Sequence, residues 1–490
     1  MAKSSDKQKI AIAAAEMTPY AKVGGLADVI GSLPLAFTAE GADVCVVLPG
    51  YRSALRTLET EPIRKEMSVA VGNKRESFAV RRGMHGDVPV YLIEHPGHFD
   101  RDGIYGERTD YPDNLQRFVF FGRAAALTLA ELIQPDVVHA HDWHCALLPI
   151  VMRADPALRE KFARTLTLFT IHNMAFQGIY DAPQFALLNL DRAFFSMNYL
   201  EFFGRMNLMK GAVALADAAS TVSPTYAREV ISDPELGFGL EGVLRNRGER
   251  FVGILNGADY HEWNPATDDF IAARYDANNR RGKDACGRDL REHIKLPPSA
   301  GRPLAGMISR ITPQKGFDLL VDALPGVMAA GLELVILGSG DPAMQDYFKT
   351  AEQRYPDQLR TIIGFDNPLA HKIQAGCDMF LMPSKFEPCG LTQMYALKYG
   401  TAPIVRATGG LADTITEFDP KSGRGNGFVF AEYKPEKLIE AVVRAVAVYR
   451  QKEIWSRLMD NAFAADFSWR VAARRYLDLF ARIASWRASA

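Results

Sequence analysis

Lys22-Val23-Gly24-Gly25-Leu26-Ala27-Asp28 sets a cation beside a glycine pair, and Gly409-Gly410-Leu411-Ala412-Asp413 repeats its last five letters near the other end of the chain. Each copy follows an apolar run, Ile10 to Ala15 and Ala402 to Val405, and opens a stretch of helical character. Paired glycines there let backbone N–H groups turn toward an anion at a helix start. The repeat therefore predicts two anion-facing half-sites; two ordinary strand-to-helix turns are the plainer alternative. Arg310 and Lys315, in Ser309-Arg310-Ile311-Thr312-Pro313-Gln314-Lys315-Gly316, stand five apart on another strand-to-helix loop. That spacing lets both reach one diphosphate, the arginine bidentately and the lysine as a point charge. In Glu387-Pro388-Cys389-Gly390-Leu391-Thr392-Gln393 a carboxylate stands beside the N–H groups of Cys389, Gly390 and Leu391 at a helix start. It combines a negative group with donors for hydroxyls or phosphate.

Two histidine-bearing runs end strands. His139-Ala140-His141-Asp142-Trp143-His144 invites a metal, but the aspartate comes one place early for H-x-H-x-D-H and no second ligand cluster follows. The run predicts instead that Asp142, with His141, hydrogen-bonds hydroxyls of a polyol while other histidines pack at a helix start. Thr170-Ile171-His172-Asn173, with Gln177-Gly178 closing the turn, offers His172 to a sugar hydroxyl or to the core. Gly338-Ser339-Gly340-Asp341-Pro342-Ala343 matches the dinucleotide fingerprint G-x-G-x-x-A. Asp341-Pro342 inside it, and the lack of an acidic strand end about twenty residues on, argue against NAD. No metal and no cofactor is expected.

The elements that must position these groups are short apolar runs alternating with helical stretches. They are Ile10 to Ala15, Val44 to Leu48, Val90 to Ile93, Val137 to Ala140, Leu166 to Ile171 and Ser220 to Val222, and then Leu304 to Ile308, Leu334 to Leu337, Leu359 to Ile363, Met379 to Met382 and Pro403 to Val405. This is the βαβ rhythm of parallel sheets wrapped by helices, played twice, and ligands of such folds bind at the C-terminal ends of the strands. The turn-rich stretch Asn256 to Pro265 marks the change of domain. At 490 residues, 48% hydrophobic and 23% charged, the chain suits two or three soluble domains. A net charge of −1 gives no overall attraction to nucleic acid or an anionic membrane. Five scattered cysteines without a C-x-x-C pair suggest reduced thiols of a cytoplasmic protein, and no signal peptide or membrane span is expected.

Together the motifs K-V-G-G-L-A-D, H-A-H-D-W-H, T-I-H-N, L-N-G-A-D at 255 to 259, S-R-I-T-P-Q-K-G, E-P-C-G-L-T-Q and T-G-G-L-A-D-T make the chain resemble the bacterial glycogen synthases, which are similar to plant starch synthases. The resemblance implies an α/β fold of the GT-B kind: two facing Rossmann-like, doubly wound domains with a deep interdomain cleft. It implies an acceptor-glucan domain at 1–256, an ADP-glucose domain at 257–466, and a helix at 467–490 crossing back. The activity implied is retaining transfer of glucose from ADP-glucose to the 4-hydroxyl of an α-1,4-glucan. By the same resemblance Arg310, Lys315 and Lys22 with the Gly24-Gly25 loop neutralise the diphosphate, Glu387 lies near the donor glucose, and His172 and Asp142 hold it. Asn256 and the run Cys389, Gly390, Leu391 and Thr392 join the substrate contacts. Two positions depart from related enzymes: Tyr395 stands where many carry a second glutamate, and Phe365 where a tyrosine often faces the adenine. Phe365 keeps the stacking and loses the hydroxyl. A UDP-sugar transferase of the same architecture, and a glucan-binding protein with a degenerate cleft, are the alternatives; the intact cations speak against the second.

Overall fold

The computed structural model describes residues 7–298 and 301–489. They form two compact α/β units, the first from 7–222, 227–254 and 469–489 and the second from 223–226 and the described part of 255–468. The first unit holds β1 (Lys9–Ala13), β2 (Asp43–Pro49), β3 (Thr60–Val71), β4 (Lys74–His85), β5 (Val88–Glu94), β6 (Val137–His141), β7 (Leu166–Ile171), β8 (Ile179–Asp181), β9 (Glu201–Phe202), β10 (Arg205–Asn207), β11 (Ala218–Thr221) and β12 (Phe251–Gly253). Nine of them make one sheet in the order β12-β11-β7-β6-β1-β2-β5-β4-β3, and β8-β10-β9 make a small antiparallel one.

From β12 to β5 the large sheet is parallel, and its central strands are buried along nearly their whole length. That is why they read as unbroken apolar runs. The antiparallel pair β3 and β4 escapes a search for such runs, because its segments Thr60–Val71 and Lys74–His85 are rich in Arg, Lys and Glu and only partly buried. The last helix, Trp469–Ala488, belongs to the first unit. Tyr476 and Phe480 pack on Phe37 of the helix Gly25–Ala39, and Arg470 and Arg474 reach Glu40 at 2.7 and 2.8 Å.

The second unit carries β13 (Leu304–Ile308), β14 (Glu333–Gly338), β15 (Leu359–Ile363), β16 (Met379–Met382), β17 (Ala402–Arg406) and β18 (Phe428–Phe430) in one all-parallel sheet, ordered β15-β14-β13-β16-β17-β18. Asn256, set at the end of the first domain by sequence, groups with this unit, as its backbone N–H lies against the Cys389 thiol. The two chain crossings run side by side here, with the Ala258 N–H on the Phe467 carbonyl at 2.7 Å.

A buried lysine anchors the helix that carries the Glu387 loop. Lys283 donates to the carbonyls of Ala375 and Tyr399 (3.2 and 3.0 Å) and to the Thr401 hydroxyl (2.8 Å), so one ammonium caps the C-terminal ends of the helices Asn367–Gly376 and Thr392–Lys398. Burial pushes its pKa down from 10.5 to about 8. An unfolded lysine stays protonated to roughly pH 10.4, so between about 8 and 10.4 the unfolded chain holds a proton at this position that the folded one has lost, and the lysine's own contribution to stability rises with pH. Chemical denaturation across that range is expected to show the stability of the wild type rising relative to that of Lys283→Met, by at most about 1.4 kcal/mol per pH unit.

Candidate active site

In the first unit the candidate residues gather where β1, β6 and β7 end. Asp142 follows β6 with φ +55°, a conformation few non-glycine residues adopt. It turns the carboxylate onto the neighbouring strand end, where Oδ1 accepts the His172 N–H at 2.7 Å and the Asn173 N–H also bonds the group. Burial and the Glu16 charge, against those two N–H bonds, raise its pKa to about 7. Asp142 therefore holds the turn that displays His172.

His141 does not reach a hydroxyl as expected. Its ring is fully buried and its Nδ1 meets His172 Nε2 at 2.9 Å. His139 is also interior, with Nε2 on the Thr170 hydroxyl at 2.6 Å, and His144 stacks on Tyr105 at 4.4 Å. Burial lowers all four pKa values, to about 3 for His139, His144 and His172, so the rings are neutral at pH 7. Gln177 is absorbed by the turn, bonding the Met174 and Phe238 carbonyls and Asn207, while a side chain at Gly178 (φ +65°) would strike Trp143 at 2.7 Å.

The expectation that the paired glycines aim their N–H groups at an anion needs correction for Gly24 of the first copy and for the second copy. In the first, the Val23 and Gly24 N–H groups turn inward onto Glu16 Oε2 at 2.7 and 2.8 Å. The next two, of Gly25 and Leu26, begin the helix Gly25–Ala39 and have no partner among the described residues. Lys22 is half exposed and bonds Asp28 at 2.6 Å. In the second copy the Gly410 N–H is used by the Glu387 and Pro388 carbonyls. A Cβ at Gly409 (φ +45°) would sit 1.9 Å from the Glu387 carbonyl oxygen, and one at Gly410 2.1 Å from that of Cys389. These glycines let the Gly409–Thr414 helix lie against the Glu387 loop. A Cβ on Gly24 or Gly25 would meet nothing within 4 Å.

The second unit brings distant groups together. Gly316 (φ +80°) lies so close to Pro383 that a Cβ would be 2.1 Å from its carbonyl oxygen, and the Lys385 N–H bonds the Gln314 carbonyl. This approach sets Lys315 Nζ 2.6 Å from Glu387 Oε2, which also accepts from Ser384 Oγ at 3.1 Å. Arg310 is exposed, and its guanidinium has no hydrogen bond or ion pair among the described residues. Beyond Glu387 the chain bends at Gly390 (φ +71°), and Gln393 Nε2 folds back onto the Cys389 and Gly390 carbonyls. The N–H groups of Cys389, Gly390, Leu391 and Thr392 have no partner among the described residues. Asn256 Oδ1 is likewise buried and unpartnered, and the Phe365 ring is 87% exposed.

The G-x-G run is explained by packing. Ile311 and the Ser339–Asp341 backbone exchange hydrogen bonds at 2.9 and 2.8 Å, and Cβ atoms at Gly338 and Gly340 would strike the Ser309 and Ile311 carbonyls. Tyr395 stacks on Trp263 at 4.6 Å, and Trp263 on His371 at 3.9 Å. His371 is bonded to the buried Asp268. Where a second glutamate was expected in related enzymes, an aromatic stack stands instead. Trp263, His371 and Glu16 were missed by sequence reasoning; only Glu16 left a signal, a carboxylate directly after a buried strand.

One group with metal-like reach, Glu76, His95 and His98, lies elsewhere in the first unit. Its histidine rings stack at 4.4 Å with planes 30° apart, and His98 Nε2 bonds Glu76 at 2.6 Å. Near-parallel stacked rings do not both aim in their planes at one ion. No helix among the described residues is long and apolar enough to cross a membrane.

Residues 9–246 match the starch synthase catalytic domain and 290–457 the group 1 glycosyl transferases, so two Rossmann-like units define a glycosyltransferase. Glycogen synthase 2 of Geobacter sulfurreducens is 43% identical over 98% of this chain and 99% of its own, and the glycogen synthase of Anaeromyxobacter dehalogenans strain 2CP-C 44% over 97% and 100%. The catalytic domain of starch synthase IV from Arabidopsis thaliana, solved with ADP and acarbose, superposes with a TM-score of 0.88 at 35% identity, covering 98% of this chain and all of that one. The chain belongs to the glycogen and starch synthase family of glycosyltransferases.

The two identical loops predict opposite responses to one substitution. Gly410→Ala is expected to destabilise the protein by about 2–4 kcal/mol, because its methyl meets backbone that cannot move aside. Gly25→Ala, at an open helix start, should change stability by less than about 1 kcal/mol. Denaturant melts of the two variants check the pair.

Proposed function

We propose that this protein elongates α-1,4-glucan by transferring glucose from ADP-glucose, with retention of configuration, to the non-reducing 4-hydroxyl. The observation that carries the reading is the set of strand-end groups in the second unit: the Lys315–Glu387 pair at 2.6 Å and, without a partner among the described residues, the Arg310 guanidinium and four successive N–H groups from Cys389 to Thr392. Glucosyl transfer builds positive charge at the anomeric carbon and negative charge on departing ADP. Arg310 and Lys315 neutralise the diphosphate. A diphosphate that draws Lys315 toward itself leaves the Glu387 carboxylate with less countercharge, free to stabilise the anomeric carbon as charge appears there. The 389–392 N–H groups and Asn256 hold hydroxyls or phosphate, and exposed Phe365 stacks on the adenine. From the first unit, which takes the acceptor glucan, neutral His172 on the turn held by Asp142 contacts glucose, and Lys22 with the Gly24-Gly25 loop contributes toward the diphosphate.

A phosphate oxygen of the donor takes the proton from the acceptor hydroxyl, so no second carboxylate is required. The local cations do the work that a divalent ion does in other transferases, and neither metal nor cofactor enters the scheme. The relatives named above support the donor and acceptor classes. Five buried free thiols support a cytoplasmic location, and the near-zero net charge supports neither nucleic-acid nor membrane partners.

Incorporation of labelled glucose into added glycogen tests the reading, with ADP-glucose beside UDP-glucose and with EDTA present or absent. Faster transfer from ADP-glucose, indifferent to chelator, is expected; transfer from UDP-glucose alone, or abolished by EDTA and restored by Mg²⁺, overturns the donor or metal assignment. Arg310→Ala should lower turnover by about 10² or more with folding intact. Glu387→Gln should lower kcat more than it raises KM for the donor, since its benefit grows with developing charge.

A further inference from the structure

Glu16 lies just past the end of β1, 4% exposed, and among the described residues its hydrogen bonds go to backbone or to one tyrosine. Oε2 takes the Val23 and Gly24 N–H groups at 2.7 and 2.8 Å, and Oε1 takes the Tyr105 hydroxyl at 2.6 Å. Tyr105 is in turn stacked on His144, at 4.4 Å and 20° between planes. The two Glu16 oxygens thus accept from three donors, two on Oε2 and one on Oε1. A glutamine in its place keeps both backbone N–H bonds only by turning its N–H₂ group onto the Tyr105 hydroxyl, which must then give up its own donation and accept a neutral, weaker bond.

The direction of the loop follows from this grip. With the Val23 and Gly24 N–H groups drawn inward, the chain enters the helix Gly25–Ala39 with the Gly25 and Leu26 N–H groups unpartnered among the described residues, beside the half-exposed Lys22 that Asp28 holds at 2.6 Å. The empty space around the glycine Cβ positions lies at this same turn. Bound charge cannot displace Glu16 cheaply, because moving it strands a buried carboxylate and two backbone donors. The grip therefore persists when an anion arrives.

We propose that Glu16, locked by Tyr105, is the positioning residue of the Lys22–Gly25 loop: it orders the loop before donor arrives, so that the Gly25 and Leu26 N–H groups and Lys22 meet a phosphate without reorganising. The proposal rests on the reading of this loop as a contact to the donor diphosphate. Preorganisation of this kind appears in affinity, since a loose loop must be ordered at the cost of binding.

Calorimetric titration with ADP and steady-state kinetics with ADP-glucose test it on Glu16→Gln and Tyr105→Phe. Each variant is expected to weaken ADP binding about ten-fold, with KM rising more than kcat falls. Combined with Lys22→Ala, Glu16→Gln should cost less than the two losses multiplied, because both act through one loop. Should Glu16→Gln fail to fold, Tyr105→Phe, which keeps the carboxylate and both N–H bonds, carries the test. Wild-type ADP affinity in a folded variant, or full multiplication of the losses with Lys22→Ala, overturns the proposal. A wild-type protein that does not bind ADP refutes the donor reading itself, which separates the two failures.

Discussion

Lys315 and Glu387, 72 positions apart, meet at 2.6 Å, and the arrangement of the second unit's strand ends serves that meeting. A nearly buried carboxylate needs a partner, and this one obtains its lysine only because the backbone at Gly316 lies flat against Pro383. The same economy recurs on the other side of the loop, where Gly409 and Gly410 admit the Glu387 and Cys389 carbonyls into contact that any side chain forbids. Lys283 then ties down the far end of the helix that the loop begins. Charge pairing at the site is thus bought with backbone packing around it.

Identical letters do not mean identical physics. The first Gly-Gly-Leu-Ala-Asp keeps its glycine Cα positions open to solvent and turns the Val23 and Gly24 N–H groups onto Glu16; the second uses its glycines for packing. The aspartates differ as well: Asp28 binds Lys22 and Thr18, whereas Asp413 accepts the N–H and hydroxyl of Thr225. What the copies share is local, a helix start after a strand. What separates them is which segment of the fold arrives opposite.

Much of the architecture was legible in the chain. Parallel strands buried on both faces must be apolar runs, so β1, β2, β6, β7, β13, β14, β16 and β17 could be read as letters, and the partly buried β5 and β15 were still apolar enough to be found. β3 and β4 could not, because a partly solvated antiparallel pair mixes arginines and glutamates with its apolar positions. Arg310, Glu387 and the Cys389–Thr392 run were legible by type, as charged or glycine-bearing turns just beyond strands. The roles of His141 and Tyr395 were not, since burial decides them: one ring faces another histidine, the other a tryptophan.

The sequence by itself determined the apolar parallel strands, the strand-end placement of the polar residues and the supply of cations, because these depend on periodicity and on local backbone preference. Tertiary structure alone decided that Lys315 belongs to Glu387, that Asp142 holds the backbone of His172 and that Glu16 occupies the N–H groups before the first glycine helix. A hydrogen bond is satisfied by whichever donor the fold brings within about 3 Å, and for partners dozens of residues apart that donor is fixed by packing rather than by neighbouring letters.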